Sequence, residues 1–209
     1  MVVQELTESK ITQLLDWAYD SAVNGLPGLD SATELAEDYI AEGKSPLDQA
    51  NSLIRWQYAK AATSGFLSGV GGILTLPVSI PANIGSVIYI QIRMIAAIAH
   101  IGGHDLHNDK VKSLVYVCLT GNAAKDILKD AGILFGTKMT ASAIKRISGQ
   151  SITAINQKVG FRLLTKFGEK GAVNLGKAVP LVGGVIGASF DGVATNAIGN
   201  IARDTFITS

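Results

Sequence analysis

Hydrophobic residues recur at every third or fourth position along most of the chain, and runs that alternate polar and apolar residues are almost absent. The first spacing is typical of amphipathic helices and the second of β-strands. The pattern therefore predicts an all-α protein, a compact multi-helix bundle with a Gly-rich apolar helical hairpin and a small-residue helix near the C-terminus.

Three amphipathic helices are predicted in the first 60 residues. The first ends at the cluster of Asn, Gly and Pro in Asn24–Gly28, which are helix stop signals. The second begins at Ser31, where the sequence Ser-Ala-Thr-Glu has the form of a capping box, and stops at Gly43. Ser45 and Pro46 then open the third helix as its N-cap and first-turn residue.

The stretch Ala61–Ile92 carries no charged residue. A surface helix needs a polar face, so this stretch is predicted to lie in a protein core or in a membrane. Two prolines divide it into a hairpin of helices, at about 61–76 and 82–101. The first helix is short for a bilayer span, and the second contains the charged residue Arg93. We therefore expect a hairpin that is buried in protein or only partly inserted, in preference to two transmembrane helices.

Small residues recur every four positions in this hairpin and again near the C-terminus. This spacing places them on one helix face, where a second backbone can approach closely. Tight helix pairing is predicted at both places. The glycines concerned are Gly65, Gly69, Gly183 and Gly187.

One acidic residue, Asp191, interrupts the second apolar region. A charge in an apolar core must be compensated by an opposite charge. Because the hairpin contains the base Arg93, these two residues are predicted to form a buried ion pair.

A basic amphipathic helix is predicted between residues 152 and 170. Such a helix can lie in the surface of an anionic membrane, with its apolar side toward the acyl chains and its amines toward phosphate. The alternative is an ordinary surface helix whose apolar stripe faces the protein core. The apolar positions are Ile152, Ile155, Val159, Leu163 and Phe167, and the basic row is Lys158, Arg162, Lys166 and Lys170.

The formal net charge is +1, but the charged residues are distributed unevenly along the chain. Residues 1–60 contain ten acidic and four basic residues, and the remainder carries a net charge of +7. Eight bases and one acid lie between residues 138 and 177. This basic part is predicted to meet anionic lipid or, alternatively, to neutralise the acidic part within one fold. Nucleic acid is not expected as a partner, because aromatic residues are not interleaved with the bases.

Three histidines, His100, His104 and His107, are close enough in sequence to suggest zinc or nickel binding. Gly102 and Gly103 are predicted to end the preceding helix, so the histidines would not share a regular helix face. We therefore interpret the segment as a polar loop and predict no metal, no cofactor and no catalytic residue. The single cysteine excludes an intramolecular disulfide.

Two segments carry a resemblance to a known family. AATSGFLSGVGGILTLPVSIPANIGSVIYIQIRMIAAIAHIGGHD and INQKVGFRLLTKFGEKGAVNLGKAVPLVGGVIGASFDGVATNAIGN resemble the EcsC protein family in the order of their parts. The resemblance covers the chain from about Trp56 and implies a helical bacterial protein, membrane-associated in some members and without established catalytic residues. We expect a single domain over residues 1–209, with acidic amphipathic helices in 1–55 and a family-like core in 56–209.

These observations predict a non-enzymatic, membrane-associated helical protein. Its expected partner is anionic membrane lipid or a membrane protein, and its expected location is the cytoplasmic face of the membrane, because the N-terminus has no secretory signal. No small-molecule substrate is predicted. The alternatives are a soluble interaction protein, such as an immunity or adaptor factor, and a metal-dependent enzyme that acts on lipid.

Overall fold

A computed structural model of the protein describes residues 6–61, 82–133, 139–167 and 185–208. These residues form helices and connecting turns with no β-strand among them, which confirms the predicted all-α class. In chain order the helices are α1 (Glu8–Asn24), α2 (Ala32–Ile40), α3 (Pro46–Ala61), α4 (Ala82–Ile101), α5 (Asp109–Leu119), α6 (Ala124–Asp130, preceded by a 3₁₀ turn at Gly121–Ala123), α7 (Ala141–Arg146), α8 (Gly149–Phe167) and α9 (Val185–Phe206).

The predicted start and stop signals of the first three helices are confirmed. The Ser31 hydroxyl accepts a hydrogen bond from the Glu34 backbone N–H at 3.1 Å, and the Glu34 carboxylate accepts one from the Ser31 N–H at 2.8 Å. This reciprocal pair is the capping box that begins α2. The Ser45 hydroxyl caps α3 in the simpler way. Gly43, with φ +69°, ends the turn after α2 in a conformation that favours glycine.

Helix α4 is the centre of the fold, and its bounds are those predicted for the second arm of the hairpin. It packs against α1, α2, α3, α5 and α9. Each large aliphatic side chain buried in this way contributes roughly 1.5–3 kcal/mol through removal from water. The fully buried residues of α4 are Ile88, Tyr89, Ile92, Met94, Ile95, Ala96, Ala97, Ile98 and Ala99.

The segment Ile84–Ile101 of α4 is long and apolar enough to cross a membrane by length and composition. In the fold, 78% of it is buried against the other helices. The core helix of a soluble protein meets the same criterion, so the segment alone is weak support for a membrane span.

A close approach of α3 and α9 completes the core on one side of α4. A Cβ atom on Gly199 would lie 2.8 Å from the Ile54 side chain, a distance that only glycine avoids without a shift of its neighbour. Sequence reasoning identified the small-residue character of this helix but missed Gly199 itself.

The end of α9 is held against the loop between α4 and α5. His104 Nε2 donates a hydrogen bond to the carbonyl oxygen of Phe206 at 3.0 Å, and a Cβ on Gly102 would lie 2.4 Å from the same oxygen. The Phe206 side chain is fully buried. The loop and the last turn of α9 therefore pack as one unit.

Helix α8 packs its apolar stripe against α1, α5 and α6. Ile155, Val159 and Leu163 have no exposed surface. The stripe thus faces the protein core, as the surface-helix interpretation expected, and it is not available to acyl chains.

Several predicted features lie outside the described residues. They are the first arm of the hairpin with Gly65 and Gly69, together with Lys170 and Gly183. Gly187 lies in the first turn of α9, where side-chain surroundings are not described. Tight packing at these glycines stays a prediction.

Candidate functional site

The outer face of α8 combines an exposed aromatic ring with positive charge. Phe161 is 62% exposed, the largest exposed fraction among the large hydrophobic residues of the described part of the chain. Arg162 and Lys166 are exposed beside it, one helical turn apart. Position 161 lies on the side of α8 opposite to Ile155, Val159 and Leu163, whereas position 162 lies at the edge of that buried stripe.

The charge on this surface has one sign over a long segment. Residues 139–167, which contain α7 and α8, hold five basic residues and no acidic residue. Arg162 has no ion-pair or hydrogen-bond partner within the described ranges, and the Lys166 ammonium lies 5.1 Å from the centre of the Phe167 ring. We call this surface, formed by the exposed side chains of α7 and α8, the basic face.

Lys158 differs from the other predicted lipid-contact residues because it has an internal partner. Its ammonium forms an ion pair with Asp130 at the end of α6. The hydrogen bond from Lys158 and the positive charge of its ammonium hold the pKa of Asp130 below its usual range. Lys158 therefore links α8 to α6, and of the predicted basic row the Arg162 side chain has no ion pair or hydrogen bond with any described residue.

A groove of about 530 Å³ runs beside this ion pair. One wall is α8, with Gln157, Lys158, Phe161 and Arg162, and the other walls come from α6 and the start of α1. The residues of those other walls are Glu8, Ala123, Asp126, Ile127 and Asp130. The groove thus carries positive charge and an aromatic ring on one side and carboxylates on the other.

Three acidic residues of the first two helices are paired with bases from α4 and α5. Lys112 lies 2.9 Å from Asp16 and 3.4 Å from Asp20, and His100 lies 3.1 Å from Glu37. None of the ion pairs among the described residues joins this acidic part to the basic face. These ion pairs join the acidic part to α4 and α5, and its neutralisation by the basic region stays a prediction.

Arg93 has an acidic neighbour that the sequence prediction did not name. Its guanidinium lies 3.9 Å from the carboxylate of Asp30, just before the capping box of α2, and its side chain is 11% exposed. The side chain of Asp191 lies outside the described residues, so its pairing with Arg93 stays a prediction. Sequence reasoning missed Asp30 because the contact depends on how the loop before α2 folds over α4.

Each of the three histidines has its own surroundings. His100 contacts Glu37, and His107 donates its backbone N–H to the carboxylate of Asp105 at 2.9 Å. His104 is buried, which lowers the pKa of its ring, while the hydrogen bond to the Phe206 carbonyl opposes the shift. No group of three His, Cys, Asp or Glu residues that could hold a metal ion occurs in the part of the chain that the structure describes.

Sequence reasoning missed Phe161 and Asp130. Phe161 could have been noticed, because it lies on the charged side of the predicted helix between Lys158 and Arg162. Asp130 carries no local signal, since its role depends on the packing of α6 against α8.

Comparison with known proteins gives one result. The family model described as the EcsC protein family matches residues 5–207, so the match begins well before Trp56 and includes the acidic helices α1 and α2. No curated protein and no solved structure matches the chain. The all-α architecture of the structure agrees with the family match. Because the family model covers nearly the whole sequence, the chain belongs to the EcsC protein family.

Proposed function

We propose that this protein is a non-enzymatic peripheral membrane protein that binds the cytoplasmic surface of an anionic membrane through its basic face. The observation that carries the proposal is the exposed ring of Phe161 between Lys158 and Arg162, in a segment with five bases and no acid. An aromatic ring enters the boundary between headgroups and acyl chains, and the neighbouring bases attract lipid phosphate.

Burial of the other apolar elements supports this choice of surface. The apolar stripe of α8 lies in the core, and α4 is surrounded by five helices. Lipid contact through either would require the core to open. The outer face of α8 needs no such rearrangement, so docking leaves the described fold intact.

Charge distribution supports one orientation on the membrane. Residues 11–43, which contain all of α2 and most of α1, have seven acidic residues and no Lys or Arg. An anionic surface repels this acidic part and attracts the basic face. The protein is therefore expected to dock with the basic face toward the lipid.

Flotation with vesicles tests the proposal. The double variant Arg162→Gln/Lys166→Gln should lose binding to vesicles that contain phosphatidylglycerol, by about fivefold per charge, because each base near an anionic surface contributes roughly 1 kcal/mol. The control is Lys44→Gln/Arg55→Gln, which removes the same charge near α3. Equal losses in the two variants, or binding of wild type to neutral vesicles alone, would contradict the proposal.

A soluble interaction protein is the second candidate. Trp56 is 54% exposed and lines a groove of about 430 Å³ together with Tyr39 and three carboxylates. Exposed aromatic residues beside charge are common in protein interfaces. Absence of flotation with every vesicle would favour this candidate, and substitutions in the basic face would then have no effect on function. The carboxylates are those of Asp30, Asp38 and Glu42.

A further inference from the structure

Two pairs of opposite charges lie between α6 and α8. In the closed pair the two side chains form an ion pair, and in the open pair they do not. Lys158 and Asp130 form the closed pair. One turn farther along α8 is Arg162, and one turn earlier on α6 is Asp126, and both line the same groove. Arg162 and Asp126 are the open pair, and they lie next to the Lys158–Asp130 ion pair. That ion pair shows that α6 and α8 are close enough for their side chains to pair.

The open charges have no partners among the residues that the structure describes. Neither Arg162 nor Asp126 makes an ion pair or a side-chain hydrogen bond with any residue of the described ranges, and the same holds for Glu8 at the start of α1. One cation and two carboxylates therefore face a common groove without neutralising one another.

We propose that this groove binds the phosphoethanolamine headgroup of a membrane lipid, an inference that rests on the membrane docking proposed above. The lipid phosphate would accept hydrogen bonds from Arg162, whose planar guanidinium suits two phosphate oxygens at once. The primary ammonium would donate its three N–H groups to Asp126 and Glu8. A headgroup that carries a phosphate and an ammonium can pair with both sides of the groove. A purely anionic headgroup would place its negative charge near the carboxylates.

Phe161 favours a lipid over a free phosphoethanolamine molecule. Its ring lines the groove next to Arg162 and is 62% exposed. With the headgroup in the groove, this ring meets the glycerol and acyl region of the same lipid, where an apolar side chain is stabilised. A soluble ligand would leave the ring in water.

Recognition of the ammonium also predicts discrimination against choline. Phosphatidylcholine has the same phosphate and the same net charge, but its methylated nitrogen has no N–H donor. The test compares vesicles of phosphatidylethanolamine and of phosphatidylcholine with matched acyl chains and the same fraction of phosphatidylglycerol. Wild type should bind the ethanolamine vesicles about two- to fivefold more tightly, near the lower end of what a net hydrogen bond supplies.

The informative variant is Asp126→Asn. It removes a negative charge, so a purely electrostatic surface would bind both kinds of vesicle more tightly and keep its preference. The groove model instead expects the ethanolamine preference to disappear while binding to the choline vesicles is kept or increased. The control Asp38→Asn, an acid of α2 outside this groove, should keep the preference.

The outcomes separate the two proposals. Binding to neither vesicle would overturn membrane docking itself. Equal binding of wild type to the two vesicles would overturn only the headgroup site. A preference that survives in Asp126→Asn would also overturn the site, because it would come from lipid packing. Competition by free phosphoethanolamine as strong as that by the lipid would overturn the assignment to a lipid.

Discussion

The acidic region of α1 and α2 and the basic face of α7 and α8 use charge in opposite ways. In the acidic region Asp16 and Asp20 bind Lys112, Asp30 faces Arg93, and each of these contacts joins the region to α4 or α5. On the basic face, Arg162 points outward without a described partner. Charges in the first region hold helices together, whereas Arg162 in the second is available to an external surface.

Lys112 illustrates the first use of charge. Its side chain is 23% exposed and lies 5.4 Å from the centre of the Tyr19 ring. Burial opposes the charge of the ammonium, yet the hydrogen bonds and the negative charges of Asp16 and Asp20 raise the pKa of Lys112 overall. The Tyr116 hydroxyl donates to Asp16 at 3.0 Å, so the contact is a network. Such a network adds to stability in a way that a solvated base cannot.

The two faces of α8 give the largest expected effect. Leu163→Ala removes a fully buried side chain and should lower the free energy of unfolding by about 2–5 kcal/mol. Phe161→Ala removes an exposed ring and should change that free energy by less than about 0.5 kcal/mol. Urea denaturation measures both. Flotation should show the reverse order, with Phe161→Ala weakened in vesicle binding. A large stability loss in Phe161→Ala would mean that its ring belongs to the core.

Lys112 and Arg162 form the next comparison. Lys112→Met leaves Asp16 and Asp20 without their shared cation and should cost about 1–2 kcal/mol of stability. Arg162→Gln should cost almost none. Thermal or urea unfolding of the two variants decides whether charge is structural in one region and free in the other. Equal costs would remove the distinction.

Helix caps test whether α2 in the acidic region and α8 in the basic face also differ in how much the cap contributes to stability. Ser31→Ala breaks the capping box of α2 and should cost about 1 kcal/mol. Ser148 caps α8 by accepting from the Ser151 N–H at 3.1 Å, without a reciprocal partner. Ser148→Ala should therefore cost less, at about 0.5 kcal/mol. Helix content and urea midpoints measure the two losses, and the opposite order would show that α8 depends more on its cap than on its buried stripe.

Acidification gives the smallest expected effect and separates stability from lipid binding. The folded pKa of His104 lies below its usual value of 6.5, so the unfolded chain takes up a proton at a pH where the folded chain does not. Stability should therefore fall as the pH drops below about 6.5 and level off below the folded pKa. Because His104 is buried away from the basic face, its protonation should not weaken binding to anionic lipid.

The control for this pH dependence is His104→Gln. It keeps a side-chain N–H that can reach the Phe206 carbonyl but removes the titration. If the variant loses stability with falling pH as steeply as wild type, other groups are responsible.

Local signals predicted the helices well and their surroundings poorly. The bounds of α4 follow from Pro81 and from Gly102, and the start of α2 follows from the Ser31–Glu34 box, because each signal acts within one turn of the chain. Whether an apolar stripe faces lipid or a protein core depends on the rest of the fold and cannot be read from the local sequence. Ile155, Val159 and Leu163 would have the same spacing whether they faced lipid or a protein core.

The candidate site was less predictable for the same reason. The basic row was visible in the spacing of Lys158, Arg162 and Lys166, but the closed pair and the open pair depend on α6, which contributes Asp126 and Asp130. The contact of Arg93 with Asp30 likewise depends on how the loop before α2 lies over α4. Tertiary packing, which sequence periodicity does not report, decides all three.

The bond between His104 and the Phe206 carbonyl also bears on the order in which the protein can be completed during synthesis. Its partners are 102 residues apart in the chain. At about 5–20 residues per second a ribosome needs roughly 5–20 s to cover that distance. During this time the part of α4 that packs against α9 has no α9 to cover it, although α1, α2 and α3 are already made and can cover the rest.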